Sequence, residues 1–313
     1  MNIKKVLAGL AIASMLVACG NSSTKKETAN YSKVGYAINT EVDGRGRVNT
    51  TMAVVGLDND GKIAYVSIDV AQQNPTGENE SLKTKKEKGP EYGMLNASGI
   101  EKEWYEQIEA LENHFIGMNV ADIKAIEIYE TGSTNSEVPA EGTDLAAEVT
   151  VNISEYRNTV IEAIENAVAV DGIDKVGMGQ EVSLNAARNQ VSTTISFVAL
   201  DKDGAIVWSL VDVAQTVAED GVEALTKHEQ GADYGMLAAS EANGIGKEWF
   251  EQAEAFSTHV LGKKLAEIKA IETYGKDDSH SSVPTEGTDL AAVVTIDVGH
   301  FLESLIEAIN NAK

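Results

Sequence analysis

Glu141-Gly142-Thr143-Asp144-Leu145-Ala146-Ala147 recurs without a change as Glu286-Gly287-Thr288-Asp289-Leu290-Ala291-Ala292. Working outward from this pair, further matches appear at a spacing of 142–145 residues. Val34-Gly35-Tyr36 answers Val176-Gly177-Met178, and Asp60-Gly61 answers Asp203-Gly204. Asp69-Val70-Ala71-Gln72 answers Asp212-Val213-Ala214-Gln215. Tyr92-Gly93-Met94-Leu95 answers Tyr234-Gly235-Met236-Leu237, and Lys102-Glu103-Trp104 answers Lys247-Glu248-Trp249. The period is too long for a solenoid, whose units are roughly 20–45 residues. Each copy has the size of a domain. The sequence therefore predicts two tandem copies, residues 33–170 and 171–313, meeting near Val170-Asp171-Gly172, where a helical pattern gives way to Asp and Gly.

Each copy has the same legible order of elements. Thr50–Asp58 and Lys62–Val70 are β-branched runs around Asn59-Asp60-Gly61, a hairpin signal; Ser192–Leu200 and Ala205–Val213 repeat it around Asp203-Gly204. The charged stretch Lys83–Lys88 reads as a solvated loop. An amphipathic helix follows, with Trp104, Ile108, Leu111 and Phe115 on one face and Trp249, Ala253, Phe256 and Val260 in the second copy. Gly117 and Gly262 stand where these helices should stop. After Pro139 and Pro284 a strand is expected, then closing helices over Glu155–Ala167 and His300–Ala312. The class is α+β: two tandem copies of an antiparallel-sheet domain with helices packed on one face.

Composition excludes several function classes. The 313 residues carry 25 basic and 49 acidic side chains, a net charge of −24. Nucleic-acid binding rests on cationic contacts, so no nucleic-acid partner is expected. The lone Cys19 rules out an intrachain disulfide, a Cys-x-x-Cys redox pair and an iron–sulfur cluster. The five histidines show no His-Glu-x-x-His or other metal-binding spacing, so no metal site is expected. Redox chemistry here would need an organic cofactor.

Residues 1–18 read as a signal peptide: Lys4 and Lys5 precede the apolar run Val6–Val17, which is too short to span a bilayer comfortably. Leu16-Val17-Ala18-Cys19 resembles the lipobox of bacterial lipoproteins. That resemblance implies cleavage before Cys19, a diacylglyceryl thioether with fatty acyl chains such as palmitate, and anchoring on the extracytoplasmic face of the cell membrane. Residues 19–32 then form the lipidated Cys and a flexible tether. Losing Lys4 and Lys5 leaves 23 basic residues against 49 acidic, a net charge of −26 on the mature chain.

The expected strand holds the candidate chemistry. Ala147, Val149, Val151 and Ile153 alternate toward one face, and so do Ala292, Val294, Ile296 and Val298. Thr150 and Thr295 then fall on the polar face, six residues after Asp144 and Asp289. This arrangement resembles the FMN-binding domain family, and the chain from about residue 33 onward is similar to two-domain flavinylated lipoproteins of Gram-positive extracellular electron transfer. The resemblance implies that a flavin transferase joins FMN by a phosphoester to Thr150 and Thr295. Asp144, Asp289, Ala147 and Ala292 would belong to the modification motif. Where the family carries Gly-Ala before the threonine, this chain has Glu148-Val149 and Val293-Val294. The implied function is a membrane-anchored carrier with two covalent FMN groups. It would relay electrons from a membrane dehydrogenase or the quinone pool to extracellular acceptors, and it contains no nucleophile–base pair of its own for turnover. The two copies, read as separately folded, are expected to be modified independently.

Further residues recur in both copies. Tyr92, Met94, Tyr234 and Met236 are candidates for a wall against a flavin ring, or for a turn that enters the core. Trp104 and Trp249 read as core, and His114 and His259 as partners of a helix C-terminus. Gly44-Arg45-Gly46-Arg47 lacks the third glycine of a phosphate cradle. The alternative function is a non-redox lipoprotein that binds a ligand or partner, with a signalling peptide released from the signal segment.

Overall fold

The computed structural model describes residues 31–76, 81–129, 137–219, 224–242, 244–277 and 280–313. The signal segment, Cys19 and most of the tether lie outside these residues. The fold is α+β. In the first half β1 (Lys33–Val42), β2 (Val48–Leu57) and β3 (Ile63–Gln73) form an antiparallel meander. Then come the short α1 (Lys85–Lys88), α2 (Trp104–Phe115), α3 (Val120–Lys124) and the two-residue strands β4 (Ile128–Tyr129) and β5 (Val138–Pro139). The half closes with α4 (Ser154–Glu165) and β6 (Val168–Ala169), which returns to pair with β1 and gives the sheet order β3-β2-β1-β6.

The second half repeats this order. It runs β7 (Lys175–Asn185), β8 (Gln190–Leu200), β9 (Ile206–Val217), α5 (Lys227–Gln230), α6 (Leu237–Ala242), α7 (Trp249–His259), α8 (Leu265–Ile268), β10 (Thr273–Tyr274), β11 (Val283–Pro284) and α9 (Gly299–Asn311). Lys313 exchanges both backbone hydrogen bonds with Val176, the position that β6 takes against β1 in the first half. Both Asp-Gly hairpins and both pairs of long helices fall where periodicity places them.

Every residue of β2 is buried. Ala53, Val55 and Leu57 face the helices α2 and α4, while Met52 and Val54 face the other way. Beyond them lies the second sheet: six buried side chains of the first half and nine of the second form one apolar cluster, centred on Met52, Val54, Ile195 and Phe197. The result is four layers, helix–sheet–sheet–helix, with a common core between the sheets. The sheet face that each copy turns away from its helices is therefore covered by the other copy.

The closing helices lie unusually close to the sheets. A Cβ on Gly35 would come 1.9 Å from the Ala163 carbonyl oxygen, and one on Gly177 would come 2.2 Å from that of Ala308. No side chain fits at either position, which explains the recurring Val-Gly pair in sequence.

Two expectations are corrected. Residues 83–88 are not a solvated loop: Thr84 and Glu87 form a capping box that starts α1, and Lys85 is buried. Tyr31 and Ser32 are not free tether. Ser32 bonds Leu57 and Asp58 of the β2–β3 turn, and the Tyr31 hydroxyl donates to the Lys313 carbonyl.

Candidate functional site

The site is built twice, beginning at the N-terminus of the long helix of each half. Glu103 precedes α2, and its carboxylate accepts the backbone N–H groups of Met94 (2.8 Å) and Leu95 (3.0 Å). Glu106 in turn accepts the N–H of Glu103. Glu248 and Glu251 do the same for Met236 and α7. The turn they hold needs a left-handed residue, and Gly93 (φ 78°) and Gly235 (φ 76°) supply it. Tyr92, Met94, Tyr234 and Met236 are consequently half-buried against the two helix-side cores. Of the two readings open in sequence, the geometry favours a core-entering turn.

Short helices α1 and α5 complete this corner. Lys85 Nζ sits 5.3 Å from the Tyr92 ring and 5.2 Å from that of Trp104; Lys227 Nζ sits 4.8 and 5.2 Å from Tyr234 and Trp249. Burial, ahead of the nearby Arg47 charge, pulls the Lys85 ammonium down to about 8. Beneath each helix lies a buried carboxylate from the Asp-Val-Ala-Gln match. Asp69 accepts from Thr84 Oγ1 (2.7 Å), Lys86 N and Val70 N, and burial lifts it to about 6 in spite of these bonds. Asp212 accepts from Val213 N and His228 N and is raised for the same reason. These groups act as brackets for the fold, and the sequence reading did not single out their roles.

The segment after Ala147 is not a strand. Leu145–Ala147 is a single 3-10 turn, and the chain then runs irregularly into α4. Leu145, Val149 and Ile153 are buried, while Ala147 and Ala292, expected to point inward, are exposed. Among the described residues no strand pairs with the Thr150 backbone. Instead its N–H donates to Gln107 Oε1 at 2.8 Å, and its hydroxyl lies 3.3 Å from the same oxygen. Thr295 repeats this with Gln252 at 2.9 and 3.4 Å. Both glutamines are completely buried, and their amides donate to Ser98 Oγ and the Lys102 carbonyl, or to Ser240 Oγ and the Lys247 carbonyl. Gln107 and Gln252 were missed in sequence, although Glu-Trp-x-Glu-Gln occurs in both copies at Glu103–Gln107 and Glu248–Gln252.

The invariant heptapeptide ahead of the threonines is a self-bonded turn. Thr143 Oγ1 donates to the Ala140 carbonyl and accepts from Ala146 N; Thr288 does so with Thr285 and Ala291. Asp144 and Asp289 stand exposed on it. Asp289 opposes the lowering of His259, which burial and Lys263 cause. Thr295 lines a cavity of about 230 Å³ together with Tyr274, Lys276, Pro284, Glu286 and Ala291. Tyr274 and its counterpart Tyr129 are exposed aromatics, and both close the repeated run Ile-Lys-Ala-Ile-Glu-x-Tyr. In the first half, Lys102 forms an ion pair with Glu148, two residues before Thr150.

Comparison with protein-family models, with curated proteins and with solved structures finds no match for this chain. Among the described residues no helix is long and apolar enough to cross a membrane.

The arrangement offers a half-buried hydroxyl in each half, with its backbone fixed by a buried amide. In the second half the cavity wall beside that hydroxyl also offers the Lys276 ammonium and the Tyr274 ring, together with the Glu286 carboxylate, which accepts from the Tyr274 hydroxyl. These are the elements that a phosphate ester with a flat ring attached would use: an oxygen to bond, positive charge for the phosphate and an aromatic surface for the ring.

Proposed function

We propose that the chain is a lipid-anchored, extracytoplasmic electron carrier that holds two FMN groups as phosphoesters on Thr150 and Thr295. The observation that carries this reading is the duplicated setting of the threonines, each held by the backbone N–H to a buried glutamine. Nothing in the packing of the core requires a hydroxyl at either position, since both threonines are only half-buried. The lipobox ending at Cys19 supports the anchor.

Bound FMN would supply the one- and two-electron chemistry. The chain's own residues have three tasks. Gln107 and Gln252 fix the direction of the threonine backbone. Lys276 brings positive charge to the phosphate and Tyr274 a flat wall to the ring. Lys102 compensates Glu148, the carboxylate that would otherwise repel an incoming phosphate next to Thr150. The net charge of −26 on the mature chain, where it lies near the ring, would disfavour added negative charge on the reduced flavin and so lower its potential. Electrons would arrive from a membrane dehydrogenase or the quinone pool and leave to acceptors outside the cell.

The test is co-expression of the full chain with a flavin transferase, followed by denaturation and peptide mass mapping. Two peptides, containing Thr150 and Thr295, should each carry one FMN. A chain that emerges colourless from denaturation is the non-redox binding lipoprotein instead.

A further inference from the structure

Three side chains far apart in sequence meet at the start of the last helix. Glu181 projects from β7, and His300 and Glu303 lie one turn apart at the beginning of α9. One ligating atom from each lies within 4.8 Å of the other two. His300 Nδ1 is 3.3 Å from Glu303 Oε2. Around a single zinc ion at roughly 2.0–2.2 Å from each ligand, donor atoms stand closer together than this, and modest side-chain rotation closes the gap.

Two further observations favour a cation here. Among the described residues, no lysine or arginine forms an ion pair with Glu181, Glu303 or Glu307, the next carboxylate along α9. The duplication also supplies an internal comparison. The equivalent positions of the first half are Asn39, Glu155 and Asn158, which lack the imidazole and one carboxylate. The second half therefore carries three potential ligands of two types together, on two elements, where the first half builds the same fold without this set.

We propose that Glu181, His300 and Glu303 bind one divalent transition-metal ion of the zinc class, with a coordination position left open to water or an external ligand. One imidazole and two carboxylates suit zinc and its neighbours, whereas an oxygen-only set would suit magnesium or calcium. The site ties β7 to the first turn of α9 and stands apart from both threonines in the chain and in chemistry.

The experiment uses the full chain, untagged, in detergent, with Cys19 lipidated or alkylated and no flavin transferase present. Zinc binding is measured by calorimetry, and cobalt binding by its visible absorption. One zinc per chain is expected. His300→Ala, Glu181→Gln and Glu303→Gln should each weaken binding by at least about tenfold, since even loss of outer-sphere partners of metal ligands costs that much. Glu155→Gln, the first-half control, should change nothing. The cobalt spectrum should lose its ligand-field bands in His300→Ala, with circular dichroism unchanged. Zinc affinity that survives both His300→Ala and Glu181→Gln, magnesium binding as tight as zinc, or no zinc binding at all would each overturn the assignment. Flavin content plays no part in these measurements, so this site and the electron-carrier reading stand or fall separately.

Discussion

Replacing Gln107 by Leu keeps the bulk of a completely buried side chain and removes all its hydrogen bonds. Two groups lose the bond that Gln107 gives them: the Thr150 N–H, at 2.8 Å, and the Lys102 carbonyl, at 3.2 Å. Ser98 Oγ still accepts from Ile100 and Lys102 and is not orphaned. A buried polar group left unpaired costs about 1–3 kcal/mol, and the Thr150 side is partly open to water, so we expect a loss of about 2–4 kcal/mol. Against a typical total of roughly 5–15 kcal/mol this is a large share. Gln252→Leu removes the equivalent bonds to Thr295 and Lys247 and should cost the same. Urea unfolding followed by tryptophan fluorescence and by circular dichroism measures both. The double variant should show the sum of the two losses, because the sites share no partners. A loss below about 0.5 kcal/mol for either variant is the level of an ordinary surface change and would refute the bracing role.

The other expectations concern the core, the anchor, the threonines and pH. Phe197→Ala removes a completely buried ring whose centroid lies 4.9 Å from that of Tyr36, tilted against it, in the core common to both sheets; it should cost about 3–5 kcal/mol and still leave one unfolding transition, whereas two separated transitions would mean that the halves unfold independently. Cys19→Ala should release the chain from membranes on fractionation, and persistent lipid attachment would contradict the lipobox reading. Thr150→Val and Thr295→Val should each leave one FMN on the chain by intact mass, and the double variant none, with unfolding midpoints little changed. Asp69 is raised to about 6 from a usual value near 3.8, so the folded state binds more protons than the unfolded between about pH 4 and pH 6. Its contribution to stability is therefore lost as pH rises through that window, and Asp69→Asn should flatten the slope of unfolding free energy there.

What was legible in sequence is what periodicity and turn chemistry control. The Asp-Gly hairpins, the faces of α2 and α7 and the closing helices all announce themselves by spacing. The run from Ala147 to Ile153 misled because Val149, Val151 and Ile153 alternate like a strand, while the burial that matters, Leu145, Val149 and Ile153, recurs every fourth residue. Its backbone partner is a glutamine side chain 43 residues away, which no local pattern encodes. The stretch at Lys83–Lys88 was a different kind of miss. Thr-Lys-x-Glu-x-Gly stands in both copies, at Thr84 and at Thr226, and a charged run recurring in register is evidence of a structural role. The meeting of Glu181 with His300 could not be read from spacing at all, because only tertiary folding brings residues 119 positions apart together.

The layering has a consequence for traffic. Because the sheets face each other and the helices lie outside, the two threonine-bearing corners look outward from opposite sides, with two sheets between them that alone stand roughly 10 Å apart. Whatever the two threonines carry, a partner docked at one corner leaves the other uncovered. On the proposed lipid anchor, a single chain would have two ports, one able to face the membrane while the other stays open to the surroundings.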